Sequence, residues 1–190
     1  MPQYVDDEIY HVFNRGAHRF PIFFDSENYR YCLRLVEKYA RRYSVSRLAH
    51  CLMPNHYHFV LRQDKAGSIS LFLQTVFNAY VQAVNKHTGH KGTLFERCAQ
   101  GLLIDSDDYA MQVIRYIHLN PVAAGLVTAP DEWEFSDYGT WIIKETTEHP
   151  SHGFRSRFFL EGNTYASFVE NMRYLLASKS VEFPDYRFSR

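Results

Sequence analysis

The chain has 190 residues, 46% of them apolar, and equal numbers of basic and acidic side chains, 21 of each. That length predicts one domain with a substantial core, and the zero formal charge counts against a protein that coats nucleic acid indiscriminately, while leaving room for a local basic stripe. Three scattered cysteines without a C-x-x-C pair point to neither a disulfide framework nor a structural zinc site, no apolar run reaches membrane-spanning length, and the first residues hold no apolar signal segment, so a reduced, cytoplasmic protein is expected.

Taken in chain order, EIYHVFNRG alternates apolar and polar residues up to a glycine turn and predicts a strand over 8–15. A loop follows, and Asp25 or Ser26 caps a helix running to about Tyr43. SRLAHCLM (46–53) is the next strand. Pro54-Asn55 makes a turn, and HYHFVLRQ (56–63) returns as the second arm of a β-hairpin. Helical periodicity covers 68–87 from Ser68. TLFERCAQGLLI (93–104) fits a fourth strand, interrupted at Gly101. Ser106 caps a further helix, with Asp107 and Asp108 in its first turn, which is expected to end at Asn120-Pro121. Residues 128–160 read as loop-rich, with FRSRFF (154–159) either a strand or a single-strand groove, and 163–178 as a last helix before a loose tail. The order β-α-β-β-α-β predicts an α+β, ferredoxin-like antiparallel sheet with its helices on one face, an added helix bearing Tyr116, and a C-terminal helical extension. The expected division is a catalytic domain over 1–145 and an extension over 146–190.

Chemistry concentrates in two segments. In MPNHYHFVL (53–61), His56 and His58 stand two apart on a strand, so both rings project from one face. They are either hydrogen-bonded spectators or two-thirds of a metal site. In RYIHLNP (115–121), a helical wheel puts Ile114 and Ile117 on the core stripe, with Tyr116 and Asn120 one turn apart on its flank. Two imidazoles and an amide oxygen would supply three neutral ligands to a divalent ion, Mg²⁺ or Mn²⁺. Such an ion could polarise a phosphodiester and help a phenol of pKa about 10 act as nucleophile. In-line attack by Tyr116 would then leave a phosphotyrosine and a free hydroxyl, a reversible step suited to strand transfer. The aromatics, 14 Tyr and 15 Phe, are read as packing or as a stacking platform for unpaired bases.

Four segments in order, YHVFNRGAHRFPIFFD, LMPNHYHFVL, GTLFERC and RYIHLNPVAAGLV, resemble those of the REP-associated tyrosine transposases, within the single-tyrosine HUH transposases, over about residues 8–140. The resemblance implies a ferredoxin-like fold, His56, His58 and Asn120 as metal ligands, Tyr116 as nucleophile, and single-stranded DNA beside a REP-like palindromic hairpin as substrate. Relatives act as monomers or as homodimers that exchange the tyrosine helix, so Tyr116 could serve its own site or a partner's. Asn14, Arg15, Arg19, Arg97 and Arg115 are the expected DNA contacts. The competing expectations are a hydrolytic HxH phosphoesterase and a non-catalytic hairpin-DNA-binding protein derived from a transposase.

Overall fold

A computed structural model describes residues 3–65, 67–89, 91–143, 150–159 and 162–177. Four strands, β1 (Ile9–Arg15), β2 (Val45–Met53), β3 (His56–Gln63) and β4 (Gln100–Ile104), form one sheet in the order β2-β3-β1-β4. Every neighbouring pair is antiparallel, which is the ferredoxin-like plan. The register opposes Arg15 to His56 and Phe13 to His58 across the two central strands.

Helix α1 (Ser26–Arg42) starts where the Asp25 carboxylate accepts the Asn28 N–H at 2.8 Å, and α2 (Ile69–Thr88) where the Ser68 hydroxyl accepts that of Leu71 at 3.2 Å. Helix α2 stops at Gly89 in the left-handed region (φ 72°). Both helices bury their apolar stripes against one face of the sheet, on Tyr10, Val12, Tyr57, Phe59 and Leu61. The opposite face, carrying Val60 and Ala49, is covered by α3 (Asp107–Ala123) and then by α4 (Tyr138–Ile142), α5 (Pro150–Arg155) and α6 (Gly162–Ala177). The sheet is therefore a middle layer, and helices on a single face describe only α1 and α2.

Three expectations change. Strand β4 is shorter than the 93–104 segment: only residues 100–104 pair with β1, and Phe95 makes an isolated bridge to Gly16. Helix α3 runs through Asn120-Pro121 to Ala123. Proline there forfeits one hydrogen bond near the helix end, while Leu119 and Pro121 remain buried, and the Pro121 carbonyl still accepts the Leu126 N–H at 2.9 Å. FRSRFF is neither strand nor groove. Arg155, 6% exposed, donates to the carbonyls of Trp141 at 2.7 Å and Ile143 at 2.8 Å, closing the end of α4. The exposed edge of β2 is covered by the 133–137 segment, with Leu52 N–H on the Phe135 carbonyl at 2.9 Å and Trp133 Nε1–H on that of Leu52 at 3.0 Å. The last helix is described to Ala177, and the expected tail after it lies outside the described residues.

Candidate active site

The site forms where β3 begins. Its short turn from β2 and strict alternation put Tyr57 under α2 and turn His56 and His58 toward α3. The two imidazole centroids are 5.1 Å apart, and the rings are nearly perpendicular at 85°. Tyr116, on the buried side of α3 and 5% exposed, sets its ring edge-to-face on His58 with centroids 5.6 Å apart. One turn later Asn120 donates its amide N–H to the Tyr116 carbonyl at 3.5 Å, and its side chain hydrogen-bonds the His56 ring. The continuation of α3 past Pro121 keeps Asn120 on the same helix face as Tyr116. Tyr116, His56, His58 and Asn120 thus converge within one chain.

A third histidine, His11, completes the arrangement. It lies on β1, fully buried, with Nε2 2.9 Å from His58 Nδ1. His56 Nδ1 in turn meets the Asn55 amide oxygen at 2.7 Å. A carbonyl oxygen only accepts, so His56 carries its proton on Nδ1 and its lone pair on Nε2. The His11–His58 bond allows the same tautomer at His58. Metal-bound imidazoles show this pattern, with the second ring nitrogen held by a fixed partner. Burial lowers His56 to about 4 and His11 to about 3, and pushes His58 well below the ordinary imidazole range, so all three are neutral near pH 7. Neutral imidazole is the ligating form. Among the described residues no cluster of three His, Cys, Asp or Glu side chains is suited to an ion. A site here would need the Asn120 amide as its third protein donor, and the donor set of two nitrogens and an amide oxygen fits Mn²⁺ or Mg²⁺.

Nothing in the local sequence marks His11. The only signal for it is register: residues 11 and 13 share a strand face, and Phe13 pairs with His58. That partnership spans 47 residues, and no local pattern reveals it.

The expected DNA contacts divide. Arg19 is exposed at the same end of the sheet, in a turn with φ 63°, and its carbonyl accepts from Asn55 Nδ2 at 3.1 Å. Arg15 pairs with Glu96, and Arg97 is exposed beside it. Asn14 is buried, donating to the Arg97 carbonyl and accepting from the Arg15 N–H, both at 2.9 Å, so it shapes the turn that presents both arginines. Arg115 is spent on α6: its guanidinium lies 4.1 Å from the centre of the Phe168 ring. Phe20, 67% exposed, adds an aromatic surface next to Arg19, with the His18 ring edge-on at 6.1 Å.

Behind the site, α3 is pinned by a buried chain of polar groups. His118 hydrogen-bonds the Tyr165 hydroxyl at 2.6 Å and the Asp137 carboxylate at 3.0 Å, and that carboxylate also accepts the His50 backbone N–H at 2.7 Å. His118 is two residues from Tyr116, so this chain fixes the helix that carries the tyrosine.

The sequence and the fold both have known relatives. The sequence model of the IS200-like transposases matches residues 4–119, more than half of the chain, and the protein belongs to that family. Its fold is shared with a REP-associated tyrosine transposase solved bound to a REP hairpin, at a TM-score of 0.62 and 16% identity, over 80% of this chain and 94% of that one. A protein from Deinococcus radiodurans assigned as a transposase also aligns, at a TM-score of 0.44 and 20% identity, over 62% of this chain and 93% of the other. No curated protein matches the sequence. Among the described residues no helix is long and apolar enough to cross a membrane.

Proposed function

We propose that this transposase-family protein is a metal-dependent DNA strand transferase, cleaving and rejoining single-stranded DNA beside a REP-like hairpin through a covalent bond to Tyr116. The observation that carries the proposal is the packing of the Tyr116 ring on His58 within one chain. His56, His58 and Asn120 would hold the cation, Mg²⁺ or Mn²⁺. That cation would draw charge from the scissile phosphate and favour the ionised phenol. Tyr116 Oη attacks phosphorus, its proton leaves, and the opposite P–O bond breaks to release a strand hydroxyl. Because the phosphotyrosine conserves the ester, the released or another hydroxyl can reverse the step. His11 and Asn55 act as positioning residues that keep the imidazole lone pairs on Nε2. The same-chain ring contact supports action in cis, which a monomer or a homodimer permits.

Arg15, Arg19 and Arg97 would bind backbone phosphates at this end of the sheet, with Phe20 as a stacking surface. Arg115, committed to α6, has a packing role in this reading. The hairpin substrate is suggested by the REP-hairpin-bound relative, and the reaction is expected in the cytoplasm. The test is incubation with Mn²⁺ and single-stranded DNA carrying a REP-like hairpin. A protein–DNA adduct should form and vanish in Tyr116→Phe while binding persists. Strand cleavage without an adduct, undiminished in Tyr116→Phe, would replace this mechanism with hydrolysis by water. Tight binding with no cleavage in any metal would leave a hairpin-binding protein.

A further inference from the structure

On the sheet face opposite the histidines lies a cleft of about 430 Å³ between α2, the 93–99 segment and Tyr4. Its wall is aromatic. Tyr57 and Phe77 stack at 4.3 Å with ring planes 9° apart, and Phe95 stands edge-on to Phe77 at 5.2 Å. Its rim is polar, with Gln74 and Asn78 exposed on successive turns of α2. Its floor holds an anomaly. The Tyr4 hydroxyl is buried with no hydrogen-bond partner, and the buried Tyr57 hydroxyl faces the Asn14 side chain. The Asn14 amide also donates to the Arg97 carbonyl and accepts the Arg15 N–H, which leaves it one further N–H and one further lone pair. A buried hydroxyl without a partner is costly, so folding alone would be better served by phenylalanine at position 4. Tyr4 comes so close over β4 that a Cβ at Gly101 would lie 2.7 Å from its ring.

We propose that this cleft receives one unpaired nucleobase of the bound DNA strand. A base is a flat π surface with a hydrogen-bonding edge, which suits stacked rings, two rim amides and the unpartnered Tyr4 hydroxyl. The location also fits a strand. Asn14 and Tyr57, both lining the cleft, are register partners, and the next pair along the two strands is Arg15 and His56. A strand held at His56 therefore reaches the cleft by rounding one end of the sheet. Arg97 at the mouth and Arg15 beside it supply phosphate contacts along that route. The inference rests on the strand-transferase reading only for the identity of the ligand as DNA.

The test measures binding in EDTA, where no metal-dependent chemistry occurs, by fluorescence anisotropy with fluorescein-labelled dA12, dC12, dT12 and a wholly abasic strand of the same length and charge. The variants are Ser70→Trp, which fills the cleft, Asn78→Leu, which removes a rim amide, and Tyr57→Phe. At least one base-bearing strand should bind wild type about tenfold more tightly than the abasic strand. That advantage should fall to threefold or less in Ser70→Trp and shrink in the other two. Unchanged base preference in Ser70→Trp, or equal competition by free deoxynucleoside monophosphate at the same base concentration, would overturn the proposal. The adduct assay is separate: an adduct with a flat base profile removes the cleft alone, and a cleft-dependent profile without any adduct removes the catalytic reading alone.

Discussion

Replacing His11 by phenylalanine keeps a ring in a fully buried position but removes the partner of His58 Nδ1. In the wild type that nitrogen lies 2.9 Å from an imidazole which burial keeps neutral, with a pKa of about 3, and which can accept a proton. Without it, His58 Nδ1–H is buried and unpaired, at a cost of about 1–3 kcal/mol. The ring is then free to turn or to carry its proton on Nε2, where a metal must bind. Loss of such a supporting partner lowers metal affinity by roughly 10–100-fold. Calorimetric titration with Mn²⁺ should show that loss, and adduct formation should fail at limiting Mn²⁺ yet recover at saturation. His11→Gln, which restores an acceptor, should recover much of the affinity. A folded His11→Phe protein that binds Mn²⁺ within twofold of wild type would refute the orienting role and weaken the assignment of His58 as a ligand.

Four other outcomes follow from the same structure. Because burial holds His56 near 4 and His58 well below its ordinary range, protons should not compete with Mn²⁺ until the solution is quite acidic. Titrations at pH 7.5 and 5.5 should agree within about twofold, whereas imidazoles of pKa about 6.5 would each lose roughly tenfold. The same depressed values mean that the unfolded chain binds more protons between about pH 6.5 and 4, so the apo protein's thermal midpoint should fall as pH drops through that window. Asp137→Leu strands the His118 ring and the His50 N–H; a loss of about 3–5 kcal/mol is expected, visible as a melting point lower by roughly 10 °C. Gly16→Ala would set a Cβ 2.1 Å from the Phe20 carbonyl oxygen. It should cost about 1–3 kcal/mol in denaturant melts and weaken DNA binding through the Arg19 turn.

Much of the scaffold was legible because its signals are local. Asp25, Ser68 and Ser106 each accept an N–H two or three residues into the helix they begin. The alternation in HYHFVLRQ placed His56 and His58 on a common face, and the i,i+4 spacing placed Asn120 over Tyr116. Local reasoning failed where burial overrode a local rule. Pro121 does not end α3, because the turn around it is packed, and 93–99 does not join β4 although its residues suit a strand. Arg115 and FRSRFF looked like nucleic-acid contacts in sequence, yet the folded chain uses Arg115 on Phe168 and Arg155 on the carbonyls of α4.

The amino-acid order alone determined the three main helix starts, the ferredoxin-like sequence of strands and helices, and the residues capable of the chemistry, since caps, turns and periodicities act over four residues or fewer; the extent of β4, the end of α3 and the short helices α4 and α5 it did not. Only the folded chain decided that α3 covers the histidine face, that His11 backs His58 across 47 positions, and that Tyr116 meets His58 across 58. Those outcomes depend on strand register and on which face each helix buries, both set by the burial energy of the whole core and by no segment of it.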